Sequence, residues 1–74
     1  MHKISGKFLI KFLSKKGFKI HSRKGSHVKL TSKKRNTKTI VPLHSELSPG
    51  TLNAIIKQSK LTKNEKKELF GKRK

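Results

Sequence analysis

Apolar and polar residues alternate in the middle of the chain. Val28 and Leu30 alternate with Lys29 and Thr31, and a period of two is typical of a strand with one buried and one solvated face. We expect a strand from about His27 to Thr31, with the two apolar side chains buried. The imidazole of His27 then lies on the exposed face beside the lysine.

The preceding stretch has the same period. Phe18 and Ile20 alternate with polar residues over 18–23, which predicts another strand with both apolar side chains directed inward. Gly25 and Ser26 separate the two stretches. Two strands joined across such a short glycine-containing turn form a β-hairpin.

A third strand follows a polar loop. Residues 32–37 are basic and polar and lack an apolar rhythm, so we expect a second hairpin loop there. Residues 38–43 are rich in β-branched side chains and predict the third strand. Pro42 has no N–H to donate, which places it at a sheet edge or near the end of its strand.

A helix precedes the strands. Ser5 and Gly6 are suited to cap a helix from about Lys7 to Lys16, and Gly17 is suited to end it. Its apolar residues recur on one face, as expected for a helix that packs on a core. These residues are Phe8, Leu9, Phe12 and Leu13.

Two helices follow the strands. Ser48 and Pro49 form an N-cap with proline at the first helical position, and the apolar residues after them predict a helix that ends near Lys60. Thr62 and Glu65 have the spacing of a capping box, which predicts a short last helix.

The predicted order is helix, three antiparallel strands, helix and helical tail. This is an α+β fold with the element order of a double-stranded-RNA-binding domain. Because only one sheet face alternates as apolar, both main helices must cover that face, and the other stays open. We expect one domain over 1–74, with its core at about 4–61 and a basic tail at 62–74. Leu69 and Phe70 fold back, and the chain frays after them.

The charge balance restricts the class of partner. The chain has 74 residues, with 21 Lys and Arg against 3 Asp and Glu and a formal net charge of +18. Self-repulsion at that charge costs stability, so a polyanion such as nucleic acid is the expected partner. The open face would present Lys19, His21, His27 and Lys29 to it.

The sequence disfavours metal sites, disulfides, membrane spans and secretion. The chain has no cysteine, which excludes disulfides and cysteine zinc sites, and its 4 histidines lack metal-ligand spacing, so we expect no metal and no cofactor. No run approaches the ~18 apolar residues that span a bilayer. Lysines also interrupt the first apolar run before a signal-peptide core forms. We therefore expect a cytoplasmic protein that does not bind membranes.

His27 is the candidate catalytic residue. Cleavage of RNA through its own 2′-hydroxyl requires a base to take that proton and an acid to protonate the departing 5′-oxygen. Histidine titrates close enough to neutrality to serve as either. The second role is open between His21, His44, a lysine and water. Alternatively, His27 is a surface residue that only contacts phosphate.

The residues around His27, and a second basic loop, are candidates for nucleic-acid binding. The N–H groups of the Gly25-Ser26 turn can form an anion-binding nest, and neighbouring lysines would stabilise the extra charge of a phosphorane. The loop at 33–35 either straddles RNA or is a solvated hairpin tip. The full set is Arg23, Lys24, Gly25, Ser26, Lys29, Lys33, Lys34 and Arg35.

Several short motifs, in their order and spacing, resemble the HicA toxins, which are mRNA interferases. They are Ser5-Gly6-Lys7, Gly17-Phe18, Lys24-Gly25-Ser26-His27, Val41-Pro42-Leu43-His44, Pro49-Gly50-Thr51-Leu52 and Ile55-Ile56-Lys57-Gln58. Together they cover roughly residues 4–61.

The resemblance implies a double-stranded-RNA-binding-like fold and a toxin endoribonuclease that cleaves mRNA and blocks translation. It also implies a HicB antitoxin that covers the active surface, and we expect a monomeric free toxin and a higher-order complex. The family's functional histidine follows Gly-Ser, which matches His27. The chain departs from the family in the lysine content of 32–37 and 63–74, and in Lys29, where the family often carries a hydrophobic or aromatic residue.

Two other function classes remain open at this point. A non-catalytic RNA- or DNA-binding module, for example a ribosome-associated protein, explains the charge equally well and gives His27 no special role. A membrane-disrupting basic peptide is disfavoured, because such peptides are usually a single amphipathic helix.

Overall fold

The computed structural model describes residues 4–71. In chain order the elements are α1 (Gly6–Lys15), β1 (Lys19–Lys24), β2 (His27–Ser32), β3 (Thr37–Pro42), α2 (Pro49–Gln58) and α3 (Lys63–Gly71). The strands form one antiparallel sheet in the order β1-β2-β3. The predicted α+β architecture is confirmed and is consistent with a double-stranded-RNA-binding-like fold.

Side-chain caps define the start of each helix. The Ser5 Oγ accepts a hydrogen bond from the Phe8 N–H at 3.0 Å and caps α1. Ser48 caps α2, with proline in its first turn. At α3 the Thr62 N–H donates to a Glu65 carboxylate oxygen at 3.0 Å, and the Glu65 N–H donates to the Thr62 Oγ at 3.1 Å. The predicted capping box is therefore present.

The core lies between one face of the sheet and the helices. Val28 and Leu30 of β2 are buried as predicted, and they share one cluster with apolar residues of all three helices. Both α1 and α2 therefore cover the same sheet face. The buried apolar residues are Ile4, Leu9, Phe12, Leu13, Phe18, Val28, Leu30, Val41, Leu47, Leu52, Ile55, Ile56 and Leu69.

The prediction that Ile20 is buried is wrong. Ile20 pairs with Leu30 and so shares the core face by register, but its side chain is 58% exposed. All of β1 is exposed, because β1 is an edge strand and α2 packs against β3 at the other edge. Phe18, just before the strand, supplies the buried side chain instead.

A β-bulge interrupts β1 at His21. The register passes from the Ile20–Leu30 pair to the Ser22–Lys29 pair, which leaves His21 as the extra residue. Because His21 is the extra residue, the pairing of β1 with β2 does not assign its side chain to either face, and its place on the face of His27 stays a prediction. After the bulge, Lys24 pairs with His27.

Helix α3 is docked on the rest of the molecule. Leu69 is fully buried, and the Lys16 ammonium forms an ion pair with a Glu68 carboxylate oxygen at 2.7 Å. The expected fraying after Phe70 falls largely on residues 72–74, which lie outside the described residues. Among the described residues, no helix is long and apolar enough to cross a membrane.

Candidate functional site

His27 is held at one end of the central strand. It is the first residue of β2, and its backbone is paired with Lys24 on one side and Pro42 on the other. Its side chain is exposed. A residue paired on both sides cannot fray as an edge residue does, so the imidazole is presented to solvent from a fixed backbone.

The turn before His27 is fixed by its backbone conformation and by two hydrogen bonds. Gly25 has a φ of +59° at the first central position, as a type II′ hairpin turn requires. The Arg23 Nε donates to the Gly25 carbonyl at 3.0 Å, and the Leu43 N–H donates to the Ser26 carbonyl at 2.6 Å. The sequence-predicted turn is therefore present, and Arg23 helps to hold it.

The sheet face that carries His27 is cationic. Lys24 lies directly opposite His27, and Lys29 lies opposite Ser22 on one side and Ile40 on the other. No acidic residue occurs between Lys19 and Pro42. The residues that share this face by register are Lys19, Ser22, Lys24, His27, Lys29, Thr31, Lys38, Ile40 and Pro42. The positive charge of this face attracts a polyanion to it.

The structure brings His44, rather than His21, to the end of the sheet where His27 lies. His44 follows Leu43, whose N–H bonds to Ser26, and the His44 carbonyl accepts the Gly6 N–H at 2.9 Å. Its side chain is exposed. His21 lies farther along β1, at the bulge. Of the two histidines considered for the second proton transfer, His44 has its backbone nearer to the His27 end of the sheet.

Gly6 positions α1 against the sheet, whereas the sequence predicted only a role in the helix cap. A Cβ on Gly6 would collide with the Pro42 carbonyl oxygen, so α1 begins in close contact with the end of β3. The Leu47 N–H also donates to the Ile4 carbonyl at 2.8 Å. A glycine directly after an N-cap serine, where most residues fit, was the available signal.

The basic loop lies at the opposite end of the sheet. Five residue steps along β2 lead from His27 to Ser32, a span of about 17 Å at 3.3 Å per step. Lys33 and Lys34 are exposed at the loop tip, whereas Arg35 is half-buried. The predicted binding residues therefore form two groups, one around His27 and one in this loop.

Arg35 contacts α3. Its guanidinium donates two hydrogen bonds to the Glu65 carboxylate at 2.8 and 2.5 Å and lies 5.9 Å from the centroid of the Phe18 ring. The Arg35 hydrogen bond lowers the pKa of Glu65 to about 2, and the same bond raises the pKa of Arg35. Arg35 thus stabilises the fold, and both terminal nitrogens of its guanidinium already bond to Glu65. Its predicted contact with RNA stays a prediction.

No metal centre is evident in the part of the chain that the structure describes. Residues 4–71 contain no group of three or more His, Cys, Asp or Glu side chains that could hold a metal ion. The ionisable side chains at the His27 end of the sheet are imidazole, ammonium and guanidinium groups. An imidazole can transfer a proton, and the ammonium and guanidinium groups can pair with phosphate.

Comparison with known proteins gives the family. The comparison with curated proteins gives no match. A family model described as the HicA toxin of bacterial toxin–antitoxin systems matches residues 6–61, from the start of α1 to just past α2, and ends before α3. That match includes the complete sheet and the His27 end, and it covers well over half of the chain. The chain therefore belongs to the HicA toxin family.

Proposed function

We propose that this chain is an endoribonuclease toxin that cleaves mRNA and blocks translation, with His27 as its catalytic residue. The observation that carries the proposal is the presentation of an exposed histidine from the central strand, directly opposite Lys24, on a face without acidic residues. Membership of a toxin family of toxin–antitoxin systems supports the same conclusion.

The proposed chemistry is transesterification without a metal. His27 takes the proton of a ribose 2′-hydroxyl, and the 2′-oxygen attacks the adjacent phosphorus. The bond to the 5′-oxygen breaks, which leaves a 2′,3′-cyclic phosphate and a 5′-hydroxyl. The second proton, for the leaving oxygen, comes from His44, a lysine or water. Lys24 and Lys29, on the face of His27, stabilise the charge of the phosphorane.

An antitoxin partner follows from the family, and we propose that a HicB-type antitoxin covers the His27 face. Ile40 lies on that face with its side chain 51% exposed. Apolar exposure beside cations suits a protein that buries the face and carries acidic residues at its rim. In this proposal the free toxin is a monomer and the complex with antitoxin is of higher order.

A cleavage assay with two histidine variants tests the catalytic proposal. Wild-type, His27→Ala and His21→Ala proteins are incubated with mixed RNA in EDTA. His21 is the matched control because it is also exposed on the sheet but lies in the bulge. We expect His27→Ala to lose activity by roughly 100-fold or more, as loss of a general base does, while His21→Ala stays close to wild type.

Circular dichroism must show that both variants are folded. Full activity of folded His27→Ala would refute the catalytic role. If the wild type shifts RNA on a gel without cleaving it, and His27→Ala does the same, the chain is a non-catalytic binding module instead.

A further inference from the structure

A second basic surface lies between α2 and α3. An open groove there has Ile56 and Leu61 in its lining and lysine side chains Lys57, Lys60 and Lys66 beside them. The Thr37 hydroxyl bonds to the carbonyl of Gln58, the last residue of α2, at 2.6 Å. The groove therefore lies near the loop end of the sheet, away from His27.

Both acidic residues of α3 form ion pairs with cations that are not part of the described groove lining. Glu65 pairs with Arg35 and Glu68 pairs with Lys16. Glu46 is the remaining acidic residue of the 3 in the sequence. Lys63, Lys66 and Lys67 are exposed. No acidic residue is among the described residues that line the groove. The charged side chains among the described residues of the lining are thus all lysines.

We propose that this α2–α3 groove is a second RNA-binding site, which holds the phosphate backbone of an RNA strand whose other part reaches His27. The choice of RNA as the polyanion rests on the proposed function. Lysine is a compact point charge that accepts phosphate in many orientations, so this contact is independent of sequence. The described residues of the groove lining include no aromatic side chain on which a base could stack, so the proposed contact is with the phosphate backbone.

An acidic protein is a poorer fit for the groove. The centres of protein interfaces are enriched in aromatic residues and depleted of lysine, whereas the described lining here combines three lysines with Asn53, Ala54, Ile56 and Leu61. The helices cover the sheet face opposite to the one that carries His27, so the RNA must pass around the β3 edge beside α2 and also run along the strands. The distance along the strands from the loop end of the sheet to His27 is about 17 Å. That distance corresponds to about five nucleotide steps at 3.4 Å each, so a strand of 20 nucleotides can reach both sites.

The test compares two double variants that remove the same charge. Lys57→Gln/Lys66→Gln alters the groove. Lys11→Gln/Lys15→Gln is the matched control on α1, since Lys15 and Lys57 both lie in the last turn of a helix and all four lysines are exposed. Binding of a fluorescent 20-nucleotide 2′-O-methyl RNA, which has no free 2′-hydroxyl to attack the phosphate, is measured by anisotropy over a range of salt concentrations.

We expect the groove variant to bind about tenfold more weakly at 0.1 M salt, and its salt slope to fall by about 1.4, or 0.7 for each lost phosphate contact. The control should change affinity by less than about threefold and keep the slope. An equal loss in both variants, or no loss in either, would overturn the proposal. So would unchanged RNA binding combined with lost binding of poly-glutamate, since the groove would then take an acidic protein.

Cleavage of ordinary RNA by the wild type separates this inference from the proposed function. If the wild type does not cleave but the groove variant still loses RNA affinity, the nuclease proposal fails and the groove stands. If the wild type cleaves and the groove variant binds as the wild type does, only the groove proposal fails. Absence of both RNA binding and cleavage in the wild type refutes both.

Discussion

Replacing Glu65 by glutamine measures how much the contact between the 33–36 loop and α3 stabilises the fold. Glutamine keeps the size of the side chain and can still accept hydrogen bonds, but it removes the charge that pairs with Arg35. Both partners are mostly buried, with side-chain exposures of 19% for Arg35 and 16% for Glu65. The chain has only 3 acidic residues, so few other groups titrate in acid and the effect of this one is easy to isolate.

The magnitude follows from the pKa of Glu65. Its hydrogen bonds from Arg35 lower that pKa from 4.5 to about 2. A shift of this size corresponds to roughly 3 kcal/mol at 1.36 kcal/mol per pKa unit. Because both groups keep some contact with water, screening reduces the contribution, and we expect Glu65→Gln to lower the free energy of unfolding by about 1–2 kcal/mol at pH 7.

The pH dependence gives the sharper result. The pKa of Glu65 is lower in the folded chain than in the unfolded chain, so the stabilisation is fully present above pH 4.5 and is lost as the pH falls towards 2. The free energies of unfolding of wild type and Glu65→Gln should therefore converge over this range.

Urea denaturation followed by circular dichroism between pH 7 and pH 3 measures both effects. Glu46→Gln is the control, because Glu46 is exposed in the connection before α2, and surface changes of this kind stay within about 0.5 kcal/mol. Equal stability of Glu65→Gln and wild type at pH 7 would refute the magnitude. A difference that persists unchanged at pH 3 would refute its assignment to the charge of Glu65.

Two further predictions concern packing. Ser59 is fully buried, and among the described residues its hydroxyl has no hydrogen-bond partner. We therefore expect Ser59→Ala to raise the free energy of unfolding, measured by urea denaturation, by about 1 kcal/mol. A lower free energy of unfolding would contradict this. Gly6→Ala must push α1 away from Pro42, and we expect it to lower the free energy of unfolding by about 1–3 kcal/mol. Lys7→Ala, on the exposed side of α1, should lower it little. Equal effects of the two changes would contradict the close contact.

The features that the sequence predicted correctly depend on neighbouring residues. The Ser5 cap, the Gly25-Ser26 turn and the Thr62–Glu65 capping box each involve groups a few positions apart, so residue type and spacing determine them. The alternation of β2 also predicted its buried face correctly, because a central strand packs on the core along its whole length.

The features that the sequence did not predict depend on distant partners. A bulge at His21 cannot be read from alternation alone, because it depends on how β1 meets β2. Arg35 stands in a run of basic residues that is typical of a solvated loop, and its partner Glu65 lies 30 positions away. Whether such a residue is free to bind RNA is decided by tertiary packing, which residue type does not reveal.

The contacts of Glu65 and Glu68 also explain how α3 can pack on so basic a chain. This helix follows the residues that the family model matches. At a net charge of +18, a helix with exposed lysines would be repelled by the rest of the molecule. Glu65 and Glu68 remove that obstacle at the inner face of α3, because they pair with Arg35 and Lys16, while buried Leu69 supplies apolar contact. The outer face is then free to carry lysines that contribute nothing to the core. Lysines kept there despite their mutual repulsion are best explained by an anionic partner, which is the argument for placing RNA in the α2–α3 groove.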